Sequence, residues 1–130
     1  MLLSKEAILG AQDMTTQDVE VPEWAGTVRV KALTGSERDA FESEIVQRNG
    51  KNITQNLKNI RARLVVMAVV DEQGNRLFGF RDIEALGEKS AKALDRVFAV
   101  AQELSGLRDE DVDELAKNSV ATPGDSSSSA

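Results

Sequence analysis

The chain has 130 residues, of which 41% are hydrophobic and only 4% aromatic, and its 16 Lys and Arg against 22 Asp and Glu leave a net charge of −6. It contains no His, Cys or Tyr, which removes the imidazole base, the thiol nucleophile, the disulfide and the zinc thiolate. Only carboxylates, Lys, and Ser or Thr without a His base remain for catalysis, so no enzyme, cofactor or metal site is expected. The acidic balance repels nucleic-acid phosphates and anionic membrane surfaces, and neither is an expected partner.

Ser4 opens a short helix that Gly10 closes, and residues 12–17 are polar and read as a linker, so 1–17 forms an N-terminal segment. At 18–33 the period changes. Val19 and Val21 alternate with acidic residues, and Val28, Val30 and Ala32 alternate with Arg29 and Lys31. A period of two marks strands with one buried face. Residues 22–26 lie between them and contain Pro22 and Gly26, as hairpin connections do. A lone hairpin is marginal in water, so 18–33 must pack on the helices that follow.

Thr34 and Glu37 have the spacing of a capping box and start a helix over 35–48, with Phe41 and Ile45 one turn apart and Asn49-Gly50 as its stop. A longer helix is predicted over 54–70. Leu57, Ile60, Leu64, Met67 and Ala68 line one of its faces, and Val65, Val66, Val69 and Val70 make its end apolar all round. Such an end is buried on several sides. The β-branched residues make a strand the rival reading for 64–70. Residues 71–75 read as a turn, and Leu77, Phe78 and Phe80 make a short apolar segment, of which Phe78 and Phe80 read as core closure in preference to a contact surface.

Three short helices are predicted over 82–118. The first, 82–86, stops at Gly87. The second, 91–105, is capped by Ser90, stops at Gly106 and carries Leu94, Val97, Phe98, Ala101 and Leu104 as one apolar stripe. Asp109 caps the third, 110–117. Residues 18–118 form a single domain by this reading. The Ser-rich residues 119–130 have nothing to bury and read as a disordered tail. The fold class is α+β, mostly helical, with a β-hairpin packed on a small helical bundle.

The motifs have modest content. Asp109, Asp111 and Asp113 alternate like the first ligands of a calcium loop, but Glu114 and Val120 stand where Gly and Glu are needed. An acidic first helical turn, favoured by the helix dipole, accounts for them. Lys58, Arg61 and Arg63 are the densest basic group and read as a solvated helix face. The opening residues lack the apolar run of a signal peptide, and the longest apolar run, 64–70, is far too short to span a membrane. A cytoplasmic protein is expected, which leaves the glycosylation triplet Asn52-Ile53-Thr54 without meaning. Three residues are candidates for protein binding. Trp24 sits in the hairpin loop, where it either covers the core or awaits a partner. Val112 and Leu115 form a short apolar edge on an acidic helix, which either pins that helix to the domain or is completed by a partner.

Taken together, the segments resemble the tail assembly chaperone family of long-tailed, siphovirus-type bacteriophages. The resemblance is carried by Val21-Pro22-Glu23-Trp24 with Val28-Arg29-Val30, and by the segments 33–38, 70–78, 82–90, 94–98, 104–107 and 112–118 in that order and spacing. It covers about 19–118 and includes no catalytic motif. It implies a non-enzymatic protein of the host cell cytoplasm that binds the tape measure protein and keeps it soluble. Such a protein helps recruit tail tube subunits and is absent from the mature virion. Members often occur also as a longer, frameshifted form, and the Ser-rich end resembles that of a short form. A structural head–tail or tail component of the particle is the alternative, and a small regulatory or enzymatic protein a third reading.

Overall fold

The computed structural model describes residues 1–49, 52–55 and 58–107. The order of elements is α1 (Lys5–Leu9), β1 (Thr16–Val21), β2 (Gly26–Lys31), α2 (Gly35–Ile45), β3 (Val46–Asn49), β4 (Asn52–Gln55), α3 (Ile60–Ala68), β5 (Val69–Val70), α4 (Ile83–Gly87) and α5 (Ala91–Leu104). Single 3-10 turns occupy Pro22–Trp24 and Phe80–Asp82. The fold is α+β. Among the described residues no helix is long and apolar enough to cross a membrane.

The β1–β2 hairpin is antiparallel, with Val19 opposite Val28 and Asp18 opposite Arg29. Its alternation sorts the faces: Val21 and Val30 are fully buried, while Asp18 and Arg29 form an ion pair of 2.7 Å on the outer side. The hairpin is longer than its valines suggest. Thr16 and Gln17, read as linker, pair with Lys31 and Val30, because ladder bonding depends on backbone groups and tolerates polar side chains at the end of a strand.

The predicted helix over 54–70 is shorter and differently flanked. Its first residues belong to β4, which pairs with β3 in a second hairpin, Asn49 opposite Asn52. The helix proper begins at Ile60, after Asn59 in the left-handed conformation at φ +56°. It ends at Ala68, and Val69 turns extended at ψ 129°. Val69 and Val70 then join the sheet antiparallel to β2, Val69 opposite Val30 and Val70 opposite Arg29. The strand reading therefore holds for these two valines and fails for 64–68. β-Branched side chains suit both a buried strand and a buried helix end, and only the open edge of β2 distinguishes them. Hence the sheet has three strands in the order β1-β2-β5, one more than the hairpin predicted.

The predicted helix over 35–48 is shortened by the same pairing. The capping box forms, with Glu37 N–H donating to Thr34 Oγ1 at 3.1 Å and Thr34 N–H to Glu37 Oε1 at 2.9 Å. The helix stops at Ile45 and Val46 is extended. Asn49, predicted with Gly50 as the helix stop, belongs to β3 and pairs with Asn52, and Gly50 lies outside the described residues.

α3 is the centre of the core. Leu64, Val65, Val66 and Ala68 are fully buried and Ala62 and Met67 nearly so. It packs chiefly on α5 and α4, and α5 also lies across β1 and β2. α5 starts and stops where its signals stand. Ser90 Oγ accepts the Ala93 N–H at 3.2 Å. At the other end Gly106 takes φ +73°, and the Leu107 N–H reaches the Gln102 carbonyl at 2.8 Å, a Schellman closure with Leu107 buried. Leu94, Val97 and Ala101 are buried, and Phe98 and Leu104 pack partly buried against them.

Between β5 and α4 the chain folds back. Asp71 Oδ1 accepts the N–H groups of Gln73 at 2.9 Å and Asn75 at 3.0 Å, and Gly74 takes φ +86°. Asp82 Oδ2 accepts the Gly79 N–H at 2.8 Å and so caps the start of the 3-10 turn, and α4 begins at Ile83, one residue later than predicted. Gly87 is the last residue of α4 and not a stop beyond it, and the Asn59 amide occupies the space a Cβ there would take. Phe78 packs partly buried against the core, whereas Phe80, predicted to close it, is 52% exposed beneath the Arg76 guanidinium, which lies 5.8 Å from the ring centre. The 3-10 turn rotates Phe80 outward. The predicted helix over 110–117 and the tail over 119–130 lie outside the described residues.

Candidate interaction surfaces

Trp24 ends the 3-10 turn that joins the two long strands. Pro22 presets φ at its start, and Ala25 leaves it in the left-handed conformation at φ +55°, its N–H bonded to the Pro22 carbonyl at 3.0 Å. The neighbouring Glu23 is held by Arg96 of α5, Nε to Oε1 at 2.9 Å and Nη2 to Oε2 at 3.1 Å. Those hydrogen bonds, with one from its own backbone, hold the Glu23 carboxyl below its ordinary range. The hairpin tip is thereby tied to α5, and the Trp24 ring packs partly buried against the core with an edge left to solvent. Val112 and Leu115, the other two candidates, lie outside the described residues, as do Asp109, Asp111 and Asp113. Among the described residues no group of three or more acidic side chains could hold a metal ion.

The basic group of Lys58, Arg61 and Arg63 is engaged with carboxylates. Lys58 faces Glu84, Arg61 pairs with Asp95, and Arg63 pairs with Glu44 at 2.8 Å. These pairs tie α3 to α2 and α5, and the residues just before α3 to α4, which a reading of the helix surface alone does not reveal. The densest electrostatic junction is at Glu37. Lys31 of β2, the Thr34 N–H and Arg76 all donate to its carboxylate. Burial by itself pushes that carboxyl up, but the three donors outweigh it and lower it to about 2.

Sequence reasoning passed over a further feature. Among the described residues, the large apolar side chains that stand exposed are Met1, Leu2, Leu3, Ile8, Leu9 and Met14 at one end of the chain, and Leu77 and Phe80 in the segment before α4. The signal was present in Leu2-Leu3 and Ile8-Leu9, on either side of Ser4-Lys5-Glu6, but neither pair is long enough to register as a run.

The described residues form a small α+β fold whose distinctive features are an aromatic at an anchored hairpin tip, ion pairs between helices and uncovered apolar side chains. The chain belongs to the phage tail assembly chaperone family, whose model matches residues 4–118. That span takes in every element from α1 to α5. The family is not one of enzymes, and its members act with protein partners in building the tail. No curated protein and no solved structure matches the chain.

Proposed function

We propose that this chaperone binds the tape measure protein, keeps it soluble while the tail is built, and helps recruit tail tube subunits. The family match over residues 4–118 is the observation that carries this reading. A long, helical tape measure exposes apolar surface that aggregates unless covered, and an acidic domain with apolar surface of its own suits that task by helix-to-groove packing. The net charge of −6 would keep the complex in solution. The protein works in the host cytoplasm and leaves before the virion is complete. The tail tube protein and a frameshifted longer form of the chain are further partners.

Trp24, Val112 and Leu115 are the proposed contacts. Trp24 is supported by the exposed edge of its ring at a fixed hairpin tip, and Val112 and Leu115 by their apolar pairing on an acidic segment. Co-expression with the tape measure tests the reading. Wild type should raise the soluble yield of the tape measure, and Trp24→Ala or Leu115→Asp should lower it while each variant melts near wild type. A tape measure that stays insoluble beside the wild-type chain rejects the assignment. Recovery of the protein in purified virions favours a structural role.

A further inference from the structure

The sheet order β1-β2-β5 makes β1 an edge strand, and its pairing with β2 runs from Thr16 to Val21 without a bulge. The ladder fixes which of its backbone groups face outward. The Ala32 N–H donates to the Thr15 carbonyl at 2.9 Å, and bonded pairs alternate along an antiparallel ladder, so Gln17, Val19 and Val21 exchange their bonds with β2. Thr16, Asp18 and Glu20 therefore turn their N–H and C=O groups to the open side, and all three residues are exposed. Among the described residues no hydrogen bond reaches those groups. Neither Pro, bulge nor inward charge interrupts the edge. Its two acids stand on the outer face, and Arg29 neutralises the first of them.

α5 runs along the core side of this hairpin. Glu23, just past β1, is bonded to Arg96, and the Leu33 N–H, past the other end of the hairpin, donates to Ser105 Oγ at 3.0 Å. The helix thus lies from the hairpin tip to its open end. One flank of α5 belongs to α3, through Arg61 with Asp95 and Phe98. α3 continues into β5, at the opposite edge of the sheet from β1. The flank turned from α3 is therefore on the β1 side, and it carries Val100, about 200° round the helix from Phe98, with Leu104 one turn on. Both are only partly buried, as is Val19 on the core side of β1. A free ladder edge and a half-covered apolar shelf lie side by side.

These two features specify the occupant. Unpaired ladder groups are completed by an extended chain, since a helix spends its own N–H and C=O groups internally. The shelf calls for apolar side chains on one row of that chain, and the period of two supplies them. A second copy of β1 meets the first requirement but fails on charge. With the valine rows kept on the core side, the antiparallel registers that pair most of the strand set Asp18 opposite Asp18 or opposite Glu20, and an in-register parallel pair sets each acid beside its own copy. Like charges directly opposite are destabilising. We propose that the outer edge of β1 accepts an extended segment of a partner protein as a further antiparallel strand, bonded to Thr16, Asp18 and Glu20, with apolar residues at alternate positions laid over Val19, Val100 and Leu104. The inference goes beyond the tape measure reading and does not depend on it, since any protein with such a segment fits the edge.

The test uses the full chain and peptides of about eight residues that alternate Val with Thr. Residues directly opposite in an antiparallel pair share a face, so the Thr row stands opposite Thr16, Asp18 and Glu20 and carries the ladder bonds. N-methylation of the Thr amides should weaken binding at least about tenfold, whereas N-methylation of the Val amides, which point away from β1, should cost little. Hydrogen exchange read by NMR follows the same edge from the protein's side. The Thr16, Asp18 and Glu20 amides should exchange fast in the free chain and at least about tenfold more slowly with peptide bound, while those of Gln17, Val19 and Val21 stay slow throughout. Glu20→Pro removes an outward N–H and no bond to β2, as an edge strand tolerates, so it should melt near wild type and lose at least about tenfold in binding. Equal binding of the two methylated peptides, or edge amides that the peptide leaves exchanging fast, would overturn the inference. So would edge amides already slow in the free monomer, because the chain's own remaining residues would then fill the edge. Protection that appears only as the chain self-associates would overturn it too, with a second copy as the occupant. The tape measure reading is judged separately, by co-expression with that client.

Discussion

Glu23 at the tip of the hairpin and Arg96 on α5, 73 residues apart in sequence, meet through two parallel hydrogen bonds of 2.9 and 3.1 Å. The planar guanidinium matches the carboxylate edge, so the pair fixes direction as well as distance. It anchors the turn that carries Trp24. The Arg96 bonds are the largest reason the Glu23 carboxyl lies low. A depressed carboxyl contributes stability above its unfolded pKa and loses it as pH falls through the folded one. In Arg96→Ala the Glu23 carboxyl should therefore move up toward its ordinary value, as an NMR titration of its side chain would read. The gap in melting temperature between wild type and variant should narrow as the solution is acidified. A Glu23 titration unchanged by the substitution would mean the pair does not persist in solution.

Glu37 should dominate the acid limb of stability. Its carboxyl is lowered from 4.5 to about 2 although burial alone would raise it. The sign is that of any depressed carboxylate: the contribution is whole above about pH 4.5 and disappears as pH falls toward about 2. The group keeps partial access to solvent, so screening reduces its worth to about 1–2 kcal/mol. Glu37→Gln should cost about that amount at pH 7 and almost nothing near pH 2. Denaturant melts at the two pH values check this, and equal losses at both would refute it.

The stripe on α5 should behave as core. Leu94 is 5% exposed and Phe98 packs partly buried against the same cluster. Leu94→Ala and Phe98→Ala should each destabilise by roughly 2–5 kcal/mol. Leu64→Ala, on the fully buried face of α3, should fall in the upper part of that range. Thermal or denaturant unfolding reads these costs directly. Unchanged stability with lost partner binding would make the α5 stripe an interface.

Gly87 and Asn59 should be coupled. A Cβ on Gly87 would lie 2.9 Å from Asn59 Cγ and closer still to its Oδ1. Gly87→Ala should destabilise by about 1–3 kcal/mol, as overpacking does, despite the better helix propensity of Ala. Asn59→Gly keeps the φ of +56° accessible and empties the space. In that background Gly87→Ala should cost little or even stabilise. A double-mutant cycle with no coupling term would show that the Asn59 side chain swings away freely.

Much of this fold was legible as local chemistry. The capping box of Thr34 and Glu37, the Ser90 cap, the Gly106 closure and the 71–75 turn each depend on groups within a few residues of one another, so their spacing in the sequence suffices. The valines of the hairpin and the stripe of α5 were legible for a related reason: one element buries one face, and period alone identifies it. What the sequence did not display were pairings between distant segments. Val69 and Val70 suit a helix end and a strand equally well, and the free edge of β2 settles the matter. The segments at 46–49 and 52–55 carry no strong pattern of their own and become strands only by pairing with each other. Of the candidate contacts, the loop position of Trp24 was legible, but the anchoring of its turn was not, because that anchor runs from the neighbouring Glu23 to Arg96 on a distant helix. The exposure of Leu3, Ile8 and Leu9 was likewise invisible, since a sequence records that a side chain is apolar and not whether anything covers it. Local hydrogen bonding and periodicity are properties of short stretches, and the sequence alone determined them. Burial, ion pairing and strand addition depend on which surfaces meet, and only the tertiary structure decided those.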